Sequence, residues 1–237
     1  KKTLEKMISL GVVCFRINLS HGSERDKATC FDLIRSLKTP AGIRPTILAD
    51  LAGPKIRVSG LEKPVKISKG DKIEISNEKE GDNIVPVSKG VEFKRLNSGA
   101  QILIDDGRVS LRVIKRITNQ TLACEALEDG VVEDRKGVNF PGIALSVPVL
   151  TEQDEKDLKL SLEKEADWIA LSFVRSSSDY DVISSKIKKA GQTTPVMAKI
   201  EKWEAVQCLD DIIKSFDAVM VARGDLGVEL PIAKVPL

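Results

Sequence analysis

The sequence predicts an α/β protein: a partial (β/α)8 TIM barrel, about five of eight strands, with an all-β lid domain inserted into it. Three observations carry this. Apolar runs bounded by turn signals alternate with segments of helical period on both sides of a central stretch. That central stretch, roughly residues 57–140, loses the helical period and alternates with period two. Charge then stands at the ends of successive strand candidates, Lys199 and Glu201 on one, Arg223 and Asp225 on the next. Buried parallel strands usually stop in neutral residues, and the C-terminal mouth of a barrel is where ligand-binding side chains gather.

Each element has its own signal. Residues 1–11 read as a helix with Leu4, Met7 and Ile8 on one face and Gly11 as its stop. Residues 12–19 form a strand candidate. Ser23 caps the next helix with Asp26 three residues on, followed by Cys30, Leu33, Ile34 and Leu37 at helical spacing. Residues 45–50 are the second strand. After the insertion, Thr151 caps an acidic first turn that suits the helix dipole, and Leu158, Leu162 and Ala166 follow. Then come strand 168–174, helix 179–190 stopped by Gly191, strand 195–200, helix 204–216 and strand 218–222. Repeated βα units imply a parallel sheet with right-handed crossovers.

Within the insertion, the runs beginning at Val65, Lys72 and Arg112 alternate, and Asp105-Asp106-Gly107 and Asn119-Gln120 read as hairpin turns. Pro54 before it and Pro141-Gly142 after it punctuate the junctions. The expected domains are therefore residues 1–56 with 141–237, the barrel, and residues 57–140, the lid. An eight-stranded barrel takes roughly 200 residues or more, and the βα portion here is roughly 150. An open doubly wound sheet competes; charge at several strand ends favours the barrel. The chain opens without Met in what reads as a mid-protein helix and ends without a closing element, so it is expected to be a piece of a longer protein.

Composition narrows the function classes. The 237 residues are 42% hydrophobic, enough for a normal core. Lys+Arg 37 against Asp+Glu 35 gives a net charge of +2, which argues against a polybasic nucleic-acid binder. Aromatics are 4%, too few for base-stacking platforms. No apolar stretch approaches the ~18 residues of a membrane span. Cys14, Cys30, Cys124 and Cys208 lie far apart without metal-type spacing, and reduced thiols suit a cytoplasmic protein.

Four segments hold candidate chemistry, each beside a plainer reading. Alternation puts Arg16, Asn18 and Ser20 on one strand face; a guanidinium there fits phosphate or carboxylate, and the plainer reading is a solvated edge. His21, the one histidine, more often serves as a satisfied hydrogen-bonding residue than as a base. Asp50 ends a strand, Gly53 allows close backbone approach, and Lys55 and Arg57 stand near the expected mouth, or are ordinary surface charges. Lys136 at the lid junction can reach a nucleotide phosphate, or face solvent. Lys199 with Glu201 and Arg223 with Asp225 read as pairs on one face of their strand ends. One such pair is readily a salt bridge; two on consecutive units favour a ligand site, with oxygen donors suited to Mg²⁺ and a lysine suited to neutralising developing charge.

Taken together these segments resemble pyruvate kinase. The runs are Arg16-Ile-Asn-Leu-Ser-His-Gly22, Asp50-Leu-Ala-Gly-Pro-Lys-Ile-Arg57, Lys136-Gly-Val-Asn-Phe-Pro-Gly142, Ser172-Phe-Val-Arg175, Lys199-Ile-Glu201 and Ala222-Arg-Gly-Asp-Leu-Gly-Val228, in the family's order and across essentially the whole chain. The resemblance implies transfer of the phosphoryl group of phosphoenolpyruvate to ADP, giving pyruvate and ATP, in a cytoplasmic homotetramer whose C-terminal, effector-binding domain lies outside this sequence. It implies Glu201 and Asp225 as ligands of Mg²⁺ (or Mn²⁺). Lys199 and Arg16 would act on the phosphoryl group, and Arg223, Gly224 and Asp225 on the substrate carboxylate. Asn18, Leu19, Ser20, His21, Arg57 and Lys136 would face the nucleotide.

Many members bind K⁺ through an Asn, a Ser, an Asp and a carbonyl matching Asn18, Ser20, Asp50 and Leu51, and usually carry Glu where this chain has Lys55. A fixed ammonium at Lys55 would supply the charge K⁺ otherwise provides, so K⁺ is doubtful here. The alternatives are a Mg²⁺-dependent lyase or aldolase of the phosphoenolpyruvate/pyruvate barrel type, and a catalytically inactive fragment.

Overall fold

The structure is a computed structural model, and it describes residues 1–78, 81, 83–88, 91–143 and 147–236. In chain order the elements are α1 (Lys2–Ser9), β1 (Cys14–Asn18), α2 (Glu24–Arg35) and β2 (Thr46–Asp50). Eight short strands follow: β3 (Val65–Ile67), β4 (Lys72–Ser76), β5 (Ile84–Pro86), β6 (Gln101–Ile104), β7 (Val109–Arg116), β8 (Thr121–Ala126), β9 (Gly130–Val132) and β10 (Val138–Asn139). The chain continues with α3 (Glu152–Glu163), β11 (Trp168–Leu171), α4 (Ser178–Lys189), β12 (Val196–Ile200), α5 (Trp203–Gln207), α6 (Leu209–Ser215), β13 (Ala218–Val221) and α7 (Arg223–Glu229).

Contacts gather the chain into two compact units. The first holds Lys1–Pro54, Val149–Ile200 and Ala205–Val221, and the second holds Lys55–Pro148, Glu201–Glu204 and Ala222–Leu237.

The first unit is built on a five-stranded sheet in the order β1-β2-β11-β12-β13, every neighbouring pair parallel. Strands that follow one another in space as they do in the chain are the arrangement of a (β/α) barrel; a doubly wound sheet would reverse its order at a switch point. Two helices start as their sequences require. Ser23 and Asp26 close a reciprocal capping box on α2, and Thr151 and Asp154 close another on α3. Each such cap is worth about 1 kcal/mol, because it satisfies backbone N–H groups that have no partner within the helix.

Parallel register sorts the strand residues by face. Arg16 pairs with Leu48, Asn18 with Asp50, Asp50 with Ala170, and Ala170 with Met197. Residues paired in this way share a face, and so do residues two apart. The opposite face carries Phe15, Ile17, Ile47, Ala49, Ile169, Val196 and Ala198, all buried. One side of the sheet is thus apolar at these positions, and the other sets the polar Arg16, Asn18 and Asp50 beside the buried Leu48 and Ala170.

Several expectations are corrected. On α2 the buried stripe is Lys27, Phe31 and Ile34, while Cys30 is exposed. Lys27 belongs to that stripe because it has a buried partner. Its ammonium reaches both carboxylate oxygens of Asp157 on α3 at 2.7 Å, and both residues are buried. On α1 Ile8 is buried and Met7 is 39% exposed. The strand expected over 168–174 ends at Leu171, because Ser172 turns its hydroxyl onto the carbonyl of Leu51 and Phe173 takes φ 57. The helix expected over 204–216 breaks at Cys208, whose backbone leaves helical geometry (φ -127, ψ 32) and whose thiol donates to the carbonyl of Arg175 at 3.2 Å. β13 is the edge of the sheet, and its Val219 and Val221 are 40% and 53% exposed, so this run is not a buried strand. Arg223 and Asp225 stand in the first turn of α7, where the backbone is helical, so strand alternation does not pair them.

The second unit contains all eight short strands. Six form one sheet, β10-β6-β7-β8-β4-β5, and β3 pairs with β9. The hairpin joining β6 to β7 turns through Asp105 and Asp106, both at positive φ (54 and 55), followed by Gly107. Short polar residues tolerate this left-handed region better than branched ones. The β7–β8 connection carries Asn119-Gln120 as expected. Inside lies a continuous apolar cluster that includes Ile75, Phe93, Leu111, Leu122, Cys124 and Phe140. The rings of Phe93 and Phe140 meet at 5.8 Å between centroids.

Candidate active site

In the first unit the C-terminal ends of four strands bring polar side chains together on the sheet's polar face. Asp50, the last residue of β2, is 1% exposed. Its Oδ2 accepts from Nε of Arg16 on β1 at 2.5 Å, and its Oδ1 lies 3.2 Å from Nζ of Lys199 on β12. Lys199 also donates to Oγ of Ser172 at 2.7 Å, just past the end of β11. Ser172 in turn donates to the Leu51 carbonyl at 2.6 Å. One buried carboxylate thus carries two cations. A buried carboxylate that keeps its charge needs such partners. A pair of cations held this way, with the guanidinium half exposed, is suited to an anion with several oxygens.

The loop after β2 is braced. Gly53 has φ +70, and a Cβ there would lie 2.8 Å from the Phe173 ring and 2.9 Å from Ser172 Cβ. Its N–H donates to Oδ1 of the fully buried Asp154 at 2.9 Å. The residue that caps α3 therefore also fixes this loop.

The other expected residues of this unit are placed as follows. Asn18 is exposed, and its Oδ1 accepts the Ser20 N–H at 3.0 Å. Leu19 is 1% exposed, so its side chain belongs to the core, and its N–H donates to the Asp50 carbonyl at 3.0 Å. His21 is exposed. Three members of the donor set expected for K⁺ already accept from protein donors. Both Asp50 oxygens hold protein cations, the Leu51 carbonyl accepts from Ser172, and Asn18 Oδ1 accepts from Ser20.

In the second unit Asp225 in α7 accepts from Lys55 Nζ at 2.9 Å. Gly137 makes room for this lysine, since a Cβ there would lie 2.9 Å from Lys55 Cε. Glu201 is 1% exposed. Among the described residues no group of three or more His, Cys, Asp or Glu gathers as a metal cage. Glu201 and Asp225 are oxygen donors of the type Mg²⁺ takes, one or two carboxylates with water and substrate oxygens in the remaining positions. Lys136 is held between Asp105 and Glu133, 3.2 Å from each, and these hydrogen bonds, that to Asp105 first, raise its pKa. Arg57 bonds through its backbone to Ser88. Glu229 is buried and accepts from Asn139 at 3.1 Å and Lys202 at 2.5 Å.

Sequence reasoning gave no role to Ser172, Asp154, Asp157 or Glu229. Asp154 has a local signal, but only for its cap. Ser172 opens the run Ser172-Phe-Val-Arg175 that carries part of the resemblance, but nothing in that run gives the serine a role.

A family model described as pyruvate kinase, barrel domain, matches residues 1–237. The chain is 39% identical over 243 residues to pyruvate kinase 2 of a Synechocystis species, covering 100% of this chain and 41% of that protein. It is 40% identical over 236 residues to pyruvate kinase of Corynebacterium glutamicum, covering 98% of this chain and 49% of that protein. Pyruvate kinase of Mycobacterium tuberculosis is 37% identical over 239 residues, with 98% and 49% covered. The chain spans about half, or less, of the length of these relatives. On the match along its whole length, the chain belongs to the pyruvate kinase family.

Proposed function

We propose that the full-length protein transfers the phosphoryl group of phosphoenolpyruvate to ADP, giving pyruvate and ATP. The observation that carries this reading is the pairing of Arg16 and Lys199 on the single carboxylate of Asp50. Phosphoryl transfer asks a protein mainly for positioning and charge neutralisation, and two cations fixed by one buried anion supply both. Arg16 would hold the phosphoryl oxygens. Lys199 would stabilise the charge of the phosphoryl group in flight and of the enolate left behind.

Glu201 and Asp225 would hold Mg²⁺, which when bound neutralises phosphoryl and enolate oxygens. Arg223, Gly224 and the backbone at Asp225 would receive the substrate carboxylate. Asn18, Ser20, His21, the backbone at Leu19, Arg57 and Lys136 would face the nucleotide. Residues 1–56 and 141–237 would be the barrel domain and 57–140 the lid. K⁺ is given no role; full-length protein assayed with a large organic cation in place of K⁺ should keep most of its activity.

The decisive experiment is Lys199→Met in the full-length protein, assayed for pyruvate formation from phosphoenolpyruvate and ADP. Turnover should fall by about 10²-fold or more, as when a preorganised electrostatic group is removed. A wild-type rate would refute the reading.

A further inference from the structure

Lys199 ends in an ammonium on a flexible four-carbon stem, with three donors and no fixed plane. The Asp50 carboxylate that it touches is shared with Arg16 on its other oxygen. The second anchor is the hydroxyl of Ser172, closer than the carboxylate at 2.7 Å. This hydroxyl has a set direction. It spends its one hydrogen on the Leu51 carbonyl at 2.6 Å, which leaves its lone pairs for Lys199. Its distance to Asp50 Oδ1 is longer, 3.3 Å.

Ser172 is itself immobilised. It is 3% exposed, and the next residue, Phe173, sits at φ 57. Gly53 packs against both, so closely that a Cβ would overlap them. Gly53 is tied by its N–H to the buried Asp154, and Leu51 by its N–H to the Ala170 carbonyl at 3.0 Å. A left-handed non-glycine residue beside a site is kept only where its surroundings over-determine it. Here the reward is a hydroxyl fixed from both sides and aimed at an ammonium.

We propose that Ser172 is the positioning residue of Lys199, aligning its ammonium through the chain Lys199 Nζ, Ser172 Oγ, Leu51 carbonyl. The proposal rests on the reading of Lys199 as the group that stabilises the transferring phosphoryl. Anchors in different directions confine a buried ammonium more tightly than any one of them does. Displacement of order 1 Å costs a reaction about 10²-fold.

Ser172→Ala in the full-length protein should therefore lower kcat for pyruvate formation about 10- to 100-fold and leave the KM for ADP within about twofold. A merely structural role would not move a second readout. Peptide-resolved labelling of Lys199 by an amine-reactive reagent, without substrates, should speed up about two- to tenfold, the factor one hydrogen bond is worth. The buried Lys27 serves as internal control and should label as slowly as in the wild type. Unchanged labelling of Lys199, equal acceleration at Lys27, or a kcat within twofold of wild type overturns the proposal. Should the alanine variant not fold, Ser172→Cys carries the same measurements, its thiol being a weaker acceptor. Lys199→Met separates the two ideas. If it turns over normally, the assigned chemistry is wrong and the proposal falls with it. If it is inactive while Ser172→Ala is not slowed, only the positioning role is wrong.

Discussion

Arg16 and Lys199, on strands that are not neighbours, meet on opposite oxygens of one carboxylate, at 2.5 Å and 3.2 Å from Asp50. This relationship makes Asp50 the keystone of the polar face. Asp50→Asn keeps the shape and removes the charge. Breaking a buried pair costs about 3–5 kcal/mol, and the half-exposed Arg16 puts this one at the low end, about 3 kcal/mol. Urea denaturation of the variant against wild type measures it; a loss under about 1 kcal/mol would mean the cations do not depend on Asp50.

Gly53→Ala tests the brace beneath the site. The added methyl meets Phe173 and Ser172 at under 3 Å from a backbone already at φ +70. Left-handed geometry alone costs a residue with a Cβ about 1–2 kcal/mol, and overpacking adds about 1–3. A fall in stability of at least about 2 kcal/mol is expected in thermal or urea unfolding, with slower turnover in the full-length protein because Ser172 is displaced.

The buried pair of Lys27 and Asp157 predicts a reversal. Lys27→Met alone strands the Asp157 carboxylate and should cost about 3–5 kcal/mol. Adding Asp157→Leu removes the stranded charge and should recover most of that loss. A double variant no more stable than the single one would show that the pair contributes more than its desolvation costs.

Cys124 gives the protein an alkaline limit. Burial pushes its thiol up to about 12 from an ordinary 9.0. The folded state keeps the proton that the unfolded state loses, so this stability is fully present below pH 9 and is lost as pH rises toward about 12. Cys124→Val should flatten that part of the stability curve. In native protein at pH 8 the buried Cys124 stays a thiol, so a thiol reagent should take the exposed Cys30 and leave Cys124 unmodified.

Short-range physics explains what could be read without coordinates. The capping boxes at Ser23 and Thr151, the alternation that puts Arg16 and Asn18 on one face, and the hairpin turn at Asp105-Asp106-Gly107 each depend on residues a few positions apart. The order of βα units predicted the barrel-type sheet, because parallel neighbours joined by helices leave few topologies.

The misread features were those whose cause lies far along the chain. Lys27 carries no local signal of burial because its partner is 130 residues away. The role of Ser172 is not legible in its run because its acceptor at Leu51 is 121 residues away. Arg223 and Asp225 looked like strand ends because the turn into α7 follows four apolar strand residues without a proline or a cap to announce it.

The sequence by itself determined the elements, their order and the family, since period, caps and motif order are local. Only the tertiary structure decided that Asp50 holds both cations, that Ser172 sets Lys199, and that Lys55 sits on Asp225. The partner of a buried charge is fixed by register and packing between distant strands, and no local pattern encodes it.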